Sequence, residues 1–140
     1  MILRPCAKAP DGSDIICVTI GDDQLQATVI SFGACLKDLR LKNFDYPLAL
    51  GFKDIEDYIT NAAYLGAVVG RNANRIAYGQ CVLEDQPLNF TMGANDQHQQ
   101  HGGPQGSSFR NWQLVSETAN QVVLQDNLPC LLYPSPSPRD

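Results

Sequence analysis

The 140-residue chain is long enough for one domain or for part of a larger one, and its 44% hydrophobic content allows an ordinary globular core. Ten basic against fifteen acidic side chains leave a net charge of −5, with no run of Lys or Arg anywhere. That excludes the basic footprint of a nucleic-acid binder and a polybasic membrane patch.

From the amino terminus, MILRPCAKAPDG lacks the long apolar segment of a secretory signal. No later stretch approaches the roughly 18 apolar residues of a membrane-spanning helix. Asp14 to Ile20 is an apolar, β-branched run, and Gly21-Asp22-Asp23 supplies a turn. In Leu25 to Ser31, Leu25, Ala27 and Val29 alternate with Gln26, Thr28 and Ile30, the period of a strand. Phe32-Gly33-Ala34 breaks it, Cys35 to Leu41 resumes it, and Pro47 to Leu50 adds a short apolar piece. Ile55, Tyr58 and Ile59 have helical spacing within Asp54 to Ile59, and Asp54, Glu56 and Asp57 favour the positive end of such a helix. Tyr64 to Val69 is apolar and ends at Gly70. Gln80 to Leu83, a turn at Glu84-Asp85, and Leu88 to Phe90 follow. Trp112 to Ser116 and Gln121 to Gln125 flank Glu117 to Asn120 as a hairpin. Trp112 could stack on a sugar, but a lone tryptophan opening a strand reads first as core. About eight short strands with one brief helix predict an all-β sandwich or barrel.

The end of the chain departs from this pattern. CLLYPSPSPRD is low in complexity, and its P-S-P-S-P run cannot enter a sheet. It resembles the conceptual translation of a sequencing-library transposase adapter, with Pro134 where Thr is expected. The reading places residues 1–128 in the domain, ends the native sequence near Leu128, and treats residues 129–140 as an adapter-like tail. Cys6, Cys17, Cys35, Cys81 and Cys130 are dispersed without a CxxC pair. They read as reduced thiols of a cytoplasmic protein.

Two stretches could carry chemistry. VVGRNANRIAYGQ, Val68 to Gln80, places Arg71 and Arg75 four apart with Asn72 and Asn74 between them. Guanidinium forks and amides together suit a vicinal diol, although the same residues equally suit a loop tied by side-chain to backbone bonds. NDQHQQHGGPQG carries both histidines, His98 and His101. A zinc site would need a third protein ligand, and neither Asp96 nor the distant cysteines stand at ligand spacing, so no metal is expected. An imidazole instead suits general acid chemistry or hydrogen-bond donation near neutral pH. His101 precedes Gly102-Gly103-Pro104, where bare backbone could let a ligand approach. His98, in a glutamine-rich stretch, reads as a solvated loop residue. No phosphate-cradling loop and no activated-nucleophile motif occurs.

ISFGACLKDLRL, LALGFKDIEDYI, LGAVVGRNANRIAYGQCVLEDQPLNF and HGGPQGSSFRNW, in that order from about Ile15 to Val123, together resemble aldose 1-epimerase (galactose mutarotase). The GRxANRIA and HGG elements at this separation are the specific part. The resemblance implies a large antiparallel β-sandwich, here truncated, since family chains are about twice this length or more. It implies that Asn74 and Arg75 bind sugar hydroxyls, that Arg71 corresponds to a family arginine, and that His101 is the first active-site histidine, near the pyranose ring oxygen. The implied reaction interconverts α and β anomers of hexoses such as galactose and glucose, with no cofactor. A glutamate base and a second histidine, both later in family chains, complete the machinery together with an aspartate that also binds sugar; Glu84 and Glu117 match neither site. Two departures stand out: ANDQHQQH is one residue longer and richer in glutamine, and QDNLPCLLYPSP replaces an acidic, glycine-containing motif ending in Tyr-Pro-Gly. The expectation is therefore a piece of a hexose-binding isomerase that is inactive alone and, with open sheet edges, prone to aggregate. The alternatives are a non-catalytic sugar-sensing module of the same fold and a hexose-6-phosphate 1-epimerase.

Overall fold

The computed structural model describes residues 5–61, 63–93 and 96–128; the tail expected over 129–140 lies outside them. The described residues divide between two compact units, residues 5–68 with 108–126 and residues 69–107 with 127–128.

The first unit is built on an antiparallel sheet in the order β1 (Pro5–Lys8), β2 (Asp14–Gly21), β3 (Leu25–Ile30) and β4 (Cys35–Leu41). β2 and β3 pair from Cys17↔Ile30 to Gly21↔Gln26 without a slip. At the turn between them the Asp22 carboxylate accepts the backbone N–H groups of Gln24 and Leu25, at 2.8 and 3.0 Å. These bonds hold its pKa below the ordinary carboxylate value. The core joins Ala9, Ile15, Ile30, Phe32, Cys35 and Tyr58. Tyr58 comes from α1 (Glu56–Thr60), a single turn with Glu56 and Asp57 at its positive end. Its hydroxyl accepts the Phe52 N–H at 2.9 Å, and its ring meets that of Phe52 edge-on.

The later segment of this unit is tied in by Ser31, which is buried. The Ser31 hydroxyl accepts the Ile16 N–H at 2.8 Å and donates to Asn111 Oδ1 at 2.7 Å, while its carbonyl accepts the Trp112 N–H. β9 (Gln113–Glu117) and β10 (Val122–Gln125) then form the expected hairpin. Below it Arg110 forks onto Asp126 through two bonds of 2.6 and 3.0 Å.

The second unit holds two small antiparallel pairs, β5 (Arg75–Ala77) with β8 (His98–Gln100) and β6 (Gln80–Leu83) with β7 (Gln86–Asn89). Glu84 and Asp85 both take positive φ, 48° and 61°, as a two-residue hairpin turn requires. The described residues are thus antiparallel and all-β, apart from α1 and a short 3-10 turn. Three strands depart from the sequence reading: β1, β5 and β8 arise where no alternation marks them. His98 in particular belongs to β8 and not to a solvated loop, because its backbone pairs with Ala77. No helix among the described residues is long and apolar enough to cross a membrane.

Candidate functional site

Arg71, Asn74, Arg75 and His101 all fall in the second unit. The β5–β8 ladder sets them out: Arg75 pairs with Gln100, Ile76 with Gln99 and Ala77 with His98. Just beyond its end the ladder closes on a reciprocal pair. The His101 N–H donates to the Asn74 carbonyl at 2.9 Å, and the Asn74 N–H donates to His101 Nδ1 at 3.0 Å.

Both residues achieve this by leaving the strand conformation, Asn74 at φ 62° and His101 at φ 51°. Asparagine and histidine are enriched in that left-handed region, which costs most other side chains more. The bond at Nδ1 has a chemical consequence. A nitrogen that accepts holds no hydrogen, so the neutral imidazole carries its N–H on Nε2. His101 is half-buried, while Asn74 and Arg75 are exposed. Among the described residues no hydrogen bond or ion pair engages the Arg75 guanidinium. Arg71 has a different placement, donating to the Leu128 carbonyl at 2.9 Å.

The glycines after His101 serve the backbone. Gly102 has φ +89°, and a Cβ there would fall onto the Gly70 carbonyl; one on Gly106 would come 2.7 Å from the His101 carbonyl. The sequence reading gave this bare stretch to an approaching ligand, but at Gly102 the space is taken by the chain at Gly70, just before Arg71. HGG and GR are therefore two sides of one close backbone contact.

His98 repeats the device at the far end of the ladder. Its Nδ1 accepts the N–H of Tyr78, another residue with positive φ (54°), and the two rings meet edge-on with centroids 5.2 Å apart. The histidines thus hold opposite ends of a three-residue ladder, roughly 10 Å apart along the strand. No group of three or more His, Cys, Asp or Glu among the described residues could hold a metal ion. Between the histidines lies Gln99, a residue that no motif or periodicity singles out. It is 1% exposed, donates through Nε2 to the Thr91 carbonyl at 3.3 Å, and leaves Oε1 without a partner among the described residues.

Comparison with known proteins gives this arrangement its context. Residues 16–132 match the model of the aldose 1-epimerase family. The chain is 34% identical over 129 residues to aldose 1-epimerase of Escherichia coli K12, covering 88% of this chain and 36% of that protein. It is 37% identical over 87 residues to galactose mutarotase of Bos taurus, covering 60% of this chain and 25% of that one. The crystal structure of a GalM/aldose epimerase homologue from C. elegans superposes with a TM-score of 0.71 at 33% identity, covering 79% of this chain and 35% of that one. The chain spans about a third of the length of such relatives. The family match takes in most of the chain, and the fold agrees with it: this chain belongs to the aldose 1-epimerase family.

Proposed function

We propose that the chain carries the first part of a hexose site in a cytoplasmic aldose 1-epimerase, one that interconverts the α and β anomers of sugars such as galactose and glucose. Ring opening needs a base to take the C1 hydroxyl proton and an acid to deliver one to the ring oxygen as the C1–oxygen bond breaks. Rotation about C1–C2 and closure then give the other anomer, with no net change in atoms or electrons. In this reading His101 Nε2–H points its hydrogen bond at the ring oxygen, while Asn74 and Arg75 hold sugar hydroxyls. The observation that carries it is the paired bonding of Asn74 and His101, which fixes both the ring and its tautomer.

The base and the principal acid are the glutamate and second histidine that family chains bring later, so we propose that this polypeptide is inactive alone. Arg71, bonded to a backbone carbonyl, is proposed to support the loop that presents Asn74 and Arg75. Polarimetry on freshly dissolved α-D-glucose tests the reading. The 140-residue chain is expected to leave the buffer rate unchanged. A longer frame that includes the glutamate and second histidine is expected to accelerate mutarotation, and His101→Gln in it to lower kcat by about 100-fold or more. Acceleration by the short chain, abolished by His101→Ala, would overturn the inactivity. A longer frame that binds galactose without accelerating would favour a sensing module.

A further inference from the structure

Cys6 and Cys17 stand apart from everything the sugar site uses. They lie on neighbouring strands of the first unit, where β1 and β2 pair as Pro5↔Ile16, Ala7↔Ile15 and Lys8↔Asp14. The register slips between Pro5 and Ala7, so Cys6 is the extra residue of a β-bulge. A bulge re-aims the side chain it carries, and here the Cys17 thiol donates to Cys6 Sγ at 2.6 Å, while Cys6 Sγ donates to the Ile15 carbonyl at 3.3 Å. Two thiol sulfurs at that separation are inside ordinary non-bonded contact. Cys6 is exposed and Cys17 half-buried, so a small reagent can reach the pair. Of the other described cysteines, Cys35 is sealed in the core and Cys81 lies in the second unit.

We propose that Cys6 and Cys17 are a reversible dithiol–disulfide site, oxidised by small disulfides of the glutathione class, which staples β1 to β2. One protein thiolate attacks a sulfur of the small disulfide and releases the first small thiolate. The second protein thiol gives up its proton and attacks the protein sulfur of that mixed disulfide, releasing the second. The protein pair loses two electrons and two protons, and the reagent leaves as two thiols. The bulge supplies what the step requires, a second sulfur already within reach of the first. Burial, followed by the hydrogen bond and charge of Cys17, pushes the Cys6 thiol up to about 12. Exchange through Cys6 therefore accelerates as pH rises.

The test equilibrates the 140-residue chain with graded ratios of oxidised to reduced glutathione at pH 8, followed by acid quench, alkylation and peptide mass mapping. The expected result is an internal Cys6–Cys17 link, lighter by two hydrogens. It should form at a ratio at least tenfold lower than the one that places a glutathione adduct on Cys81. Cys6→Ser should trap an adduct on Cys17 instead, and unfolding in urea should reduce the preference at least tenfold. The proposal is overturned if both sulfurs carry adducts, if either links to another cysteine, or if the preference survives unchanged in urea.

Discussion

Asn74 and His101 each pay for their shared geometry with a left-handed backbone, and that separates what the fold needs at these positions from what the proposed sugar contact needs. Asn74 contributes to the fold through its main-chain N–H and carbonyl, which any residue tolerant of φ 62° can offer. Asn74→Gly is therefore expected to change urea-unfolding stability by no more than ~0.5 kcal/mol, whereas Asn74→Val should cost ~1–2 kcal/mol from the backbone alone. In a longer, active frame both should weaken galactose binding, because both remove the amide. Gly102 allows no such freedom. Gly102→Ala puts a methyl against the Gly70 carbonyl at φ +89°, and a loss of ~2 kcal/mol or more is expected in the same unfolding assay. Neither the close approach nor the left-handed pair is written in HGG or GRNANR, since each involves a partner about thirty residues away.

Within the elements, the strands of the first unit show their burial in the sequence. Ile15, Ile16 and Val18 of β2 and Ile30 of β3 are buried, and β2 and β3 pair without a slip. β8 is the opposite case. His98-Gln99-Gln100 has the composition of a loop, yet Gln99 is buried with one amide atom unsatisfied. An unsatisfied buried acceptor is unfavourable, and the side-chain bond from Gln99 to Thr91 is long. Gln99→Met, similar in volume, is expected to be neutral or up to ~1 kcal/mol stabilising by urea titration. A loss above ~2 kcal/mol would show that Oε1 has a partner such as ordered water. Ser31→Ala should do the reverse, costing ~1–3 kcal/mol, because it strands the Ile16 N–H in the core.

For the molecule as a whole, pH acts through groups whose shifts have opposite signs. Hydrogen bonds from Ser13 and from Leu25 and Gln24 hold Asp11 and Asp22 below the ordinary carboxylate value. Folded-state pKa values below the unfolded ones add stability that is present at neutral pH and lost on acidification through about pH 4 and below. Cys35 is shifted the other way, pushed up to about 12 by burial. Its contribution is intact at neutral pH and declines above about pH 9, as the unfolded thiol begins to ionise. Thermal unfolding across pH 3 to 10 should thus show a midpoint falling at both ends, with Cys35 alkylated only on unfolding. Leu50, Tyr78 and Val82 are each more than two-thirds exposed. With so much apolar surface in water, the 140-residue chain is expected to bind a hydrophobic dye and to sediment heterogeneously at micromolar concentration. A sharp, monomeric species that binds no dye would refute that expectation.

The sequence by itself determined the class of the fold and the hairpins, and it named the residues of the proposed site. Alternation, paired turn residues and the spacing of GRNANRIA and HGG are local properties, and burial acts on them one strand at a time. The tertiary structure decided what those residues do for one another. It turned a loop-like HQQ into a strand against Arg75–Ala77, set the Asn74 N–H on His101 Nδ1, filled the space beside Gly102 with the chain at Gly70, and brought Cys6 to Cys17. Each of these is a contact between segments distant in sequence or a consequence of a bulge. The physical reason is the same throughout: such pairings are stabilised by what lies opposite, and a single stretch of sequence does not contain its partner.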